Sequence, residues 1–181
     1  MKNGFTLTEL LITIAILVLV IGAVYSGYLL SRQAFQKGEN AAEILQNGRV
    51  ILERMTREIR QAREIVTELG LTIDEATSTI EFEDGHIGER YYYIRYFKEG
   101  SNVKKEIKRY YFSGDPGTYV AWNATPPEGQ ELLTITTSIG TIGEYATDLK
   151  IWGPRVVNIS IFLEKGDQKI NLPAKIFGRN L

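Results

Sequence analysis

The residues best placed to do chemistry stand at the start of the chain. Lys2, Gly4 and Phe5 precede a single carboxylate, Glu9, at the rim of an uncharged apolar run from Leu10 to Ser31. A carboxylate in a membrane helix costs roughly 2.5–3.5 kcal/mol at the bilayer centre and less toward the edge. It needs either an opposite charge or a solvated place among the headgroups. No cation lies within the run, so a partner for Glu9 must come from elsewhere. A second group is basic and aromatic. Tyr91, Tyr92, Tyr93, Tyr96, Tyr110 and Tyr111 interleave with Arg90, Arg95, Lys98, Lys104, Lys105, Lys108 and Arg109. Cations attract phosphates and tyrosines stack on bases, so Tyr92, Arg95, Lys105 and Arg109 are candidate nucleic-acid contacts. The competing reading is a half-buried sheet with Tyr on the core face and Lys or Arg outside, and the neutral overall charge favours it. A third group, Glu81, Glu83 and Asp84 beside His86, resembles a ligand set. An alternating strand would turn Glu81 and Glu83 to one face, where solvent is the simpler partner. No metal site is expected, and no cofactor.

Composition narrows the chemistry further. The chain has 181 residues, 21 Lys plus Arg against 22 Asp plus Glu, one His and no Cys. Disulfides, thiolate metal sites and cysteine nucleophiles are excluded together, and a Ser-His-Asp triad would rest on His86 alone. No phosphate-binding glycine loop stands between a strand and a helix, the acidic spacing fits no EF-hand, and no carboxylate pair is singled out for glycosidase work. An enzyme is not expected. The apolar share of 44% is that of a folded protein.

These groups must be positioned by a small set of elements. As a helix, Leu10 to Ser31 would be roughly 33 Å long, enough to cross the hydrocarbon of a bilayer. Leu10, Leu11, Ile14, Leu17 and Ile21 form its apolar body. A cleaved secretory signal fits less well, because the run is long and no A-x-A site closes it. A plain signal anchor is the other reading. No Pro follows the run, so the helix is expected to continue. Leu45, Gly48, Leu52, Met55, Ile59, Ala62 and Val66 recur at steps of three and four, an amphipathic stripe up to a stop at Gly70. Glu53–Arg57, Arg54–Glu58 and Arg60–Glu64 are opposite-charge pairs on its outer side. Gly22, Gly27, Gly38 and Asn47-Gly48 are its weak points.

After Gly70 the period changes to two. Thr79–Glu83 is expected as a strand, and Arg90–Lys98 with Val103–Phe112 as a hairpin. Ser113–Gly117 and Asn123–Gln130 are expected as loops, Glu131–Ile135 as a short strand, and Ser138–Leu149 as less regular. Val156–Glu164 and Ile170–Ile176 alternate as the last two strands. Pro173 places the final one at an edge. The fold class is therefore α+β: one long N-terminal helix, half transmembrane and half amphipathic, packed on an antiparallel β-meander.

Gly4-Phe5-Thr6-Leu7-Thr8-Glu9-Leu10 resembles the class III signal of type IV prepilins and type II secretion pseudopilins. The order of leader, long helix and meander sheet is that family's layout over the whole chain. The resemblance implies cleavage by a prepilin peptidase between Gly4 and Phe5, N-methylation of Phe5, and a salt bridge from Glu9 to the N-terminal ammonium of a neighbouring subunit. It divides the chain into a leader (1–4), a transmembrane and assembly helix (5–31), an amphipathic continuation (32–69) and a sheet region (70–181). One departure is Ser26, where many major pilins carry Pro. The stretch from Arg49 to Ala62 and the ending Ile176 to Leu181 resemble the W-class minor pilins and J-class minor pseudopilins.

The implied function is a minor pilin or minor pseudopilin that assembles into a type IV pilus or type II secretion pseudopilus and helps prime it. Its implied partners are prepilin peptidase, other pilin or pseudopilin subunits, the inner-membrane assembly platform and the lipid bilayer. The precursor is expected to span the inner membrane once, with Lys2 on the cytoplasmic side and the sheet region outside. A pilus-tip module binding DNA or a surface, and a bitopic protein with no filament role, are the alternatives.

Overall fold

The structure, a computed structural model, describes residues 6–86 and 88–178. It divides into two units, residues 1–40 and residues 41–181. Helix α1 (Leu7–Arg60) begins in the first and ends in the second.

In the first unit every described residue from Thr6 to Glu39 is exposed, including Leu10, Leu11, Ile14, Leu17 and Ile21. This helix is long and apolar enough to cross a membrane. Two of its hydroxyls turn inward on the backbone. Thr13 Oγ1 donates to the carbonyls of Glu9 (2.9 Å) and Leu10 (2.8 Å), and Ser26 Oγ to that of Gly22 (2.9 Å). Back-bonding of this kind satisfies these two hydroxyl donors within the apolar run. The helix runs without a break through Gly22, Gly27 and Gly38.

The second unit packs the end of α1 on two antiparallel sheets. The first sheet contains β1 (Glu64–Ile65), β2 (Thr79–Glu83), β3 (Tyr93–Glu99), β4 (Asn102–Phe112), β5 (Asp115–Val120) and β6 (Leu132–Gly143). Strands β1 to β5 follow in order, and β6 returns to pair with β4. The second sheet is β7 (Ala146–Trp152), β8 (Val156–Lys165) and β9 (Gln168–Phe177). The core lies between the helix and both sheets. Ile44, Ile51, Met55 and Ile59 of α1 meet Ile80, Phe82, Ile94, Tyr96, Val103, Leu149, Ile151, Ile159 and Ile161.

Several expectations are corrected. The buried helical stripe is Ile44, Gly48, Ile51, Met55 and Ile59, with Leu45 and Leu52 only half-buried. The helix ends at Arg60, well short of Gly70, so the segment 61–69 does not continue it. Sheet pairing takes over there. The Arg63 N–H bonds the Glu83 carbonyl (3.0 Å), and those of Val66 and Thr67 bond the Glu81 carbonyl (2.8 and 3.3 Å). Gly85 packs so tightly under this exit that a Cβ there would strike the Gln61 carbonyl. Arg60 therefore has no helical i,i+4 partner in Glu64. Gly48 is a packing contact rather than a bend, since Leu172 and Leu163 fill the space a Cβ would need. The expected loop at Ser113–Gly117 gives way to β5 from Asp115, with Pro116 on that strand. The short strand expected at Glu131–Ile135 is the first part of β6, which runs on to Gly143, and the irregularity expected in Ser138–Leu149 is confined to register shifts and to Glu144 and Tyr145 between β6 and β7.

Candidate functional site

The site in the first unit is the start of α1. Thr6 directly precedes the first helical residue, Leu7, and Glu9 is the third. Thr6 N–H and Thr6 Oγ1 both donate to Glu9 Oε2 at 2.9 Å, and the Glu9 N–H reaches back to Thr6 Oγ1 at 3.4 Å. This is a capping box, in which a cap hydroxyl and a carboxylate three residues on satisfy each other's orphan backbone donors. The acidic side chain in the first turn also faces the positive end of the helix dipole. Thr6-x-x-Glu9 ahead of an apolar run is the sequence signature of such a box. Reasoning from charge alone misses it, because it offers Glu9 only an external cation or the solvent of the headgroups. Glu9 thus already has local donors, and its carboxylate is held at the helix entrance. Gly4 and Phe5, the expected cleavage and methylation positions, lie outside the described residues.

The basic and aromatic hairpin in the second unit is β3 and β4. Five of its cations are met by carboxylates brought from several elements. Lys105 Nζ lies 2.7 and 2.8 Å from the two Glu58 oxygens on α1, and Tyr96 Oη donates to Glu58 Oε2 at 2.7 Å. Lys108 pairs with Glu81 at 2.7 Å, and Tyr110 Oη donates to Glu81 Oε1 at 2.7 Å. Arg95 pairs with Glu106 at 3.4 Å, and Arg109 with Glu89 at 2.6 Å while lying over the rings of Tyr92 and Tyr119. Lys104 pairs with Glu99. Burial with a carboxylate neighbour raises the Tyr96 and Tyr110 phenols far above their ordinary value, desolvation acting first and the Glu58 or Glu81 hydrogen bond second. Tyr93, edge-on to Tyr110 at 5.1 Å, is pushed up to about 12, chiefly by burial.

The faces do not divide as simply as Tyr inside and cations outside. Tyr93 and Tyr96 are buried, but Tyr92, Tyr110 and Tyr111 are only partly so, and the cations are half-buried among their acids. Glu81 and Glu83, expected to face solvent, retain 8% and 5% exposure. Glu83 is satisfied by Arg63 (3.3 Å) and by the N–H of Tyr91 (3.0 Å). That bond helps hold Tyr91 at a positive φ of 63°, a conformation uncommon for a residue with a side chain. Of the four candidate nucleic-acid contacts, Arg95, Lys105 and Arg109 are each committed to a carboxylate, and Tyr92 lies under Arg109. The hairpin is built as an internal charge network.

Neither a curated protein nor a solved structure matches the chain. A family model does, over residues 1–25, and its description is the prokaryotic N-terminal methylation motif. Those residues include Gly4, Phe5 and the capping box that closes on Glu9. They make the chain a pilin-like precursor with an N-terminal apolar helix, which fits a membrane-anchored protein. By that motif, and by the long helix ahead of antiparallel sheets, it is a type IV prepilin- or pseudopilin-like protein.

Proposed function

We propose that the chain is a minor pilin or minor pseudopilin whose work is assembly rather than catalysis. The observation that carries this reading is the methylation motif set directly on a helix whose apolar N-terminal part is exposed throughout. In the proposed sequence a prepilin peptidase cleaves between Gly4 and Phe5 and the new amine of Phe5 is methylated. The apolar helix then leaves lipid for a bundle of neighbouring helices. Transfer of Glu9 into that low dielectric favours an ion pair with a neighbour's N-terminal ammonium, which cleavage creates. Glu9 then exchanges or shares its bonds to Thr6.

The precursor sits in the inner membrane with Lys2 on the cytoplasmic side, as the positive-inside rule favours, and the sheets project outward. Echoes of W-class pilins and J-class pseudopilins between Arg49 and Ala62 support a minor subunit that primes a filament together with other subunits and the assembly platform. The committed cations of the hairpin weigh against DNA as a partner.

Co-expression with a prepilin peptidase, followed by intact mass and N-terminal sequencing, tests the reading. A chain that begins at Phe5 and is heavier by one methyl is the expected product. An unprocessed chain beside a processed control prepilin overturns it and leaves a plain signal anchor.

A further inference from the structure

Strand β6 is an edge without the usual protection. Among the described residues its only strand partner is β4, so its other backbone edge is unpaired. From Leu133 to Thr141 it is exposed on both faces, with Leu133, Ile135 and Ile139 at 36%, 45% and 56%. It carries no charge and no Pro from Leu132 to Gly143. Long apolar edges of this kind template pairing with another chain, and proteins blunt them with Lys, Pro or bulges. The edge strand of the second sheet shows those devices. β9 carries exposed Lys169, Pro173 and Lys175. On β6, two register shifts leave Thr137 and Ile142 without direct partners on β4. They spare a regular stretch, Leu132–Thr136, in which Leu133 and Ile135 share one face opposite Tyr111 and Arg109.

The charges beside this stretch state what it fits. Every acid on β2, β3 and β4 meets a cation: Glu81, Glu83, Glu99 and Glu106. Glu131 and Glu128, exposed at the entrance to β6, meet none among the described residues. Two copies of β6 paired antiparallel over Leu132–Thr136 would set Thr137 of each opposite Glu131 of the other, so a second copy brings no cation there. Pairing over the full length would set Glu131 against Glu144, like charges that are destabilising when directly opposite. We propose that the β6 edge receives an extended segment of another polypeptide, uncharged where it pairs with the strand. It runs antiparallel to Leu132–Thr136, with apolar residues facing Leu133 and Ile135 and a Lys or Arg at the end that meets Glu131. Backbone hydrogen bonds supply the binding, and the alternate pockets and terminal charge supply its selectivity.

The absence of Cys gives a direct test. The full chain carrying Thr134→Cys, unprocessed and in detergent micelles, is equilibrated in β-mercaptoethanol with the peptide acetyl-Thr-Val-Cys-Val-Thr-Lys-Lys-amide, supplied as its mixed disulfide with β-mercaptoethanol. The thiolate introduced on β6 attacks the peptide's sulfur and β-mercaptoethanol leaves. Conjugation is read by intact mass. A peptide ending in Glu-Glu, and a chain with Thr118→Cys on exposed β5, serve as comparisons. The expected result is at least fivefold more conjugate for the Lys peptide at Thr134→Cys than for either comparison, with the peptide preference reversed by Glu131→Lys. Equal conjugation in all arms, or a preference unmoved by Glu131→Lys, overturns the proposal. A disulfide-linked dimer of the chain that outcompetes the peptide also overturns it, and gives the edge to a second copy. Processing of the N-terminus plays no part, so this result and that of the cleavage experiment are independent.

Discussion

Lys105 on β4 and Glu58 on α1 form a two-pronged ion pair, with Nζ 2.8 and 2.7 Å from the two carboxylate oxygens, and their side chains keep only 20% and 15% exposure. Removing one partner strands a largely buried charge. Lys105→Met is expected to cost about 3 kcal/mol of unfolding free energy. Tyr96→Phe, which removes one hydrogen bond to the same carboxylate, should cost about 1 kcal/mol. Glu58→Leu combined with Lys105→Met should cost less than the sum of the single changes. Urea unfolding of the full chain in mild detergent, followed by tryptophan fluorescence, measures all three. A Lys105→Met variant as stable as the parent would remove the pair from the account of stability.

A second clamp, between Glu43 and Lys165, predicts a pH dependence. Hydrogen bonds from Lys165, first, and Tyr145 hold the Glu43 carboxyl below its ordinary 4.5, and the bond to Glu43 holds Lys165 above its ordinary 10.5. A lowered acid contributes stability that is present above its unfolded value and lost as pH falls through the folded one. A raised base contributes stability that is present below its unfolded value and lost as pH rises through the folded one. The thermal midpoint of Lys165→Met should therefore lie below that of the parent between about pH 5 and 10. The two curves should converge at both extremes. Both side chains are accessible, so the gap is small. Parallel curves at every pH would contradict the assignment.

The buried tyrosines predict an alkaline limit. Tyr93, held up to about 12, and Tyr96 and Tyr110, higher still, ionise less readily folded than unfolded. Stability should fall as pH rises past about 10, where the unfolded phenols begin to ionise. In an absorbance titration at 295 nm, Tyr110→Phe should remove amplitude only from the late part of the curve. Loss of early amplitude would show that Tyr110 titrates freely.

Gly48 predicts a steric cost. Its position faces Leu172 of β9 and Leu163 of β8 with no room for a methyl. Gly48→Ala adds helix propensity of about 1 kcal/mol but overpacks a contact, at about 1–3 kcal/mol. Net destabilisation is expected, whereas Gly38→Ala, with open space around it, should stabilise. Chemical unfolding of the two variants decides between packing and propensity at these sites.

The capping box predicts a local effect. Thr6→Val removes the cap hydroxyl and should weaken the first turn by about 1 kcal/mol. Amide exchange at Leu7 to Leu10 in bicelles should then rise about fivefold. Unchanged exchange there would mean that the cap hydroxyl adds nothing to the first turn.

What was legible in the sequence was whatever depends on near neighbours. The uncharged run after Glu9 announces its helix, and the alternation from Val156 to Ile176 announces the last hairpin. The amphipathic stripe is legible at Gly48, Met55, Ile59 and Ala62, and one position off at Leu45 and Leu52. Leu45 and Leu52 stand beside Ile44 and Ile51, and steps of three and four fit both rows equally until the sheets choose one. The early end of α1 was hidden because Gln61 to Leu69 carries no breaker, and only β2, arriving from later in the chain, draws it out of the helix. The burial of Glu81 and Glu83 was unreadable for the same reason, since Arg63 and Lys108 come from distant segments. The alternation predicts only the start of β6, because the Thr and Gly residues of the strand dilute it. Of the site, Glu9 was read from its isolation, whereas its bond to Thr6 was present as spacing and was overlooked.

The fastenings of α1 to the sheets also bear on force. Glu43 to Lys165, Asn47 to the backbone of Glu144, and Glu58 to Lys105 are spread along some 23 Å of one helix, at about 1.5 Å per residue. A pull along the helix axis loads the three fastenings in parallel, as rivets along a seam, together with the apolar contacts between them. None can part alone without passing its share to the others. A subunit drawn by its helix should therefore slip only above a threshold load, and weakening the Glu58 rivet should lower that threshold.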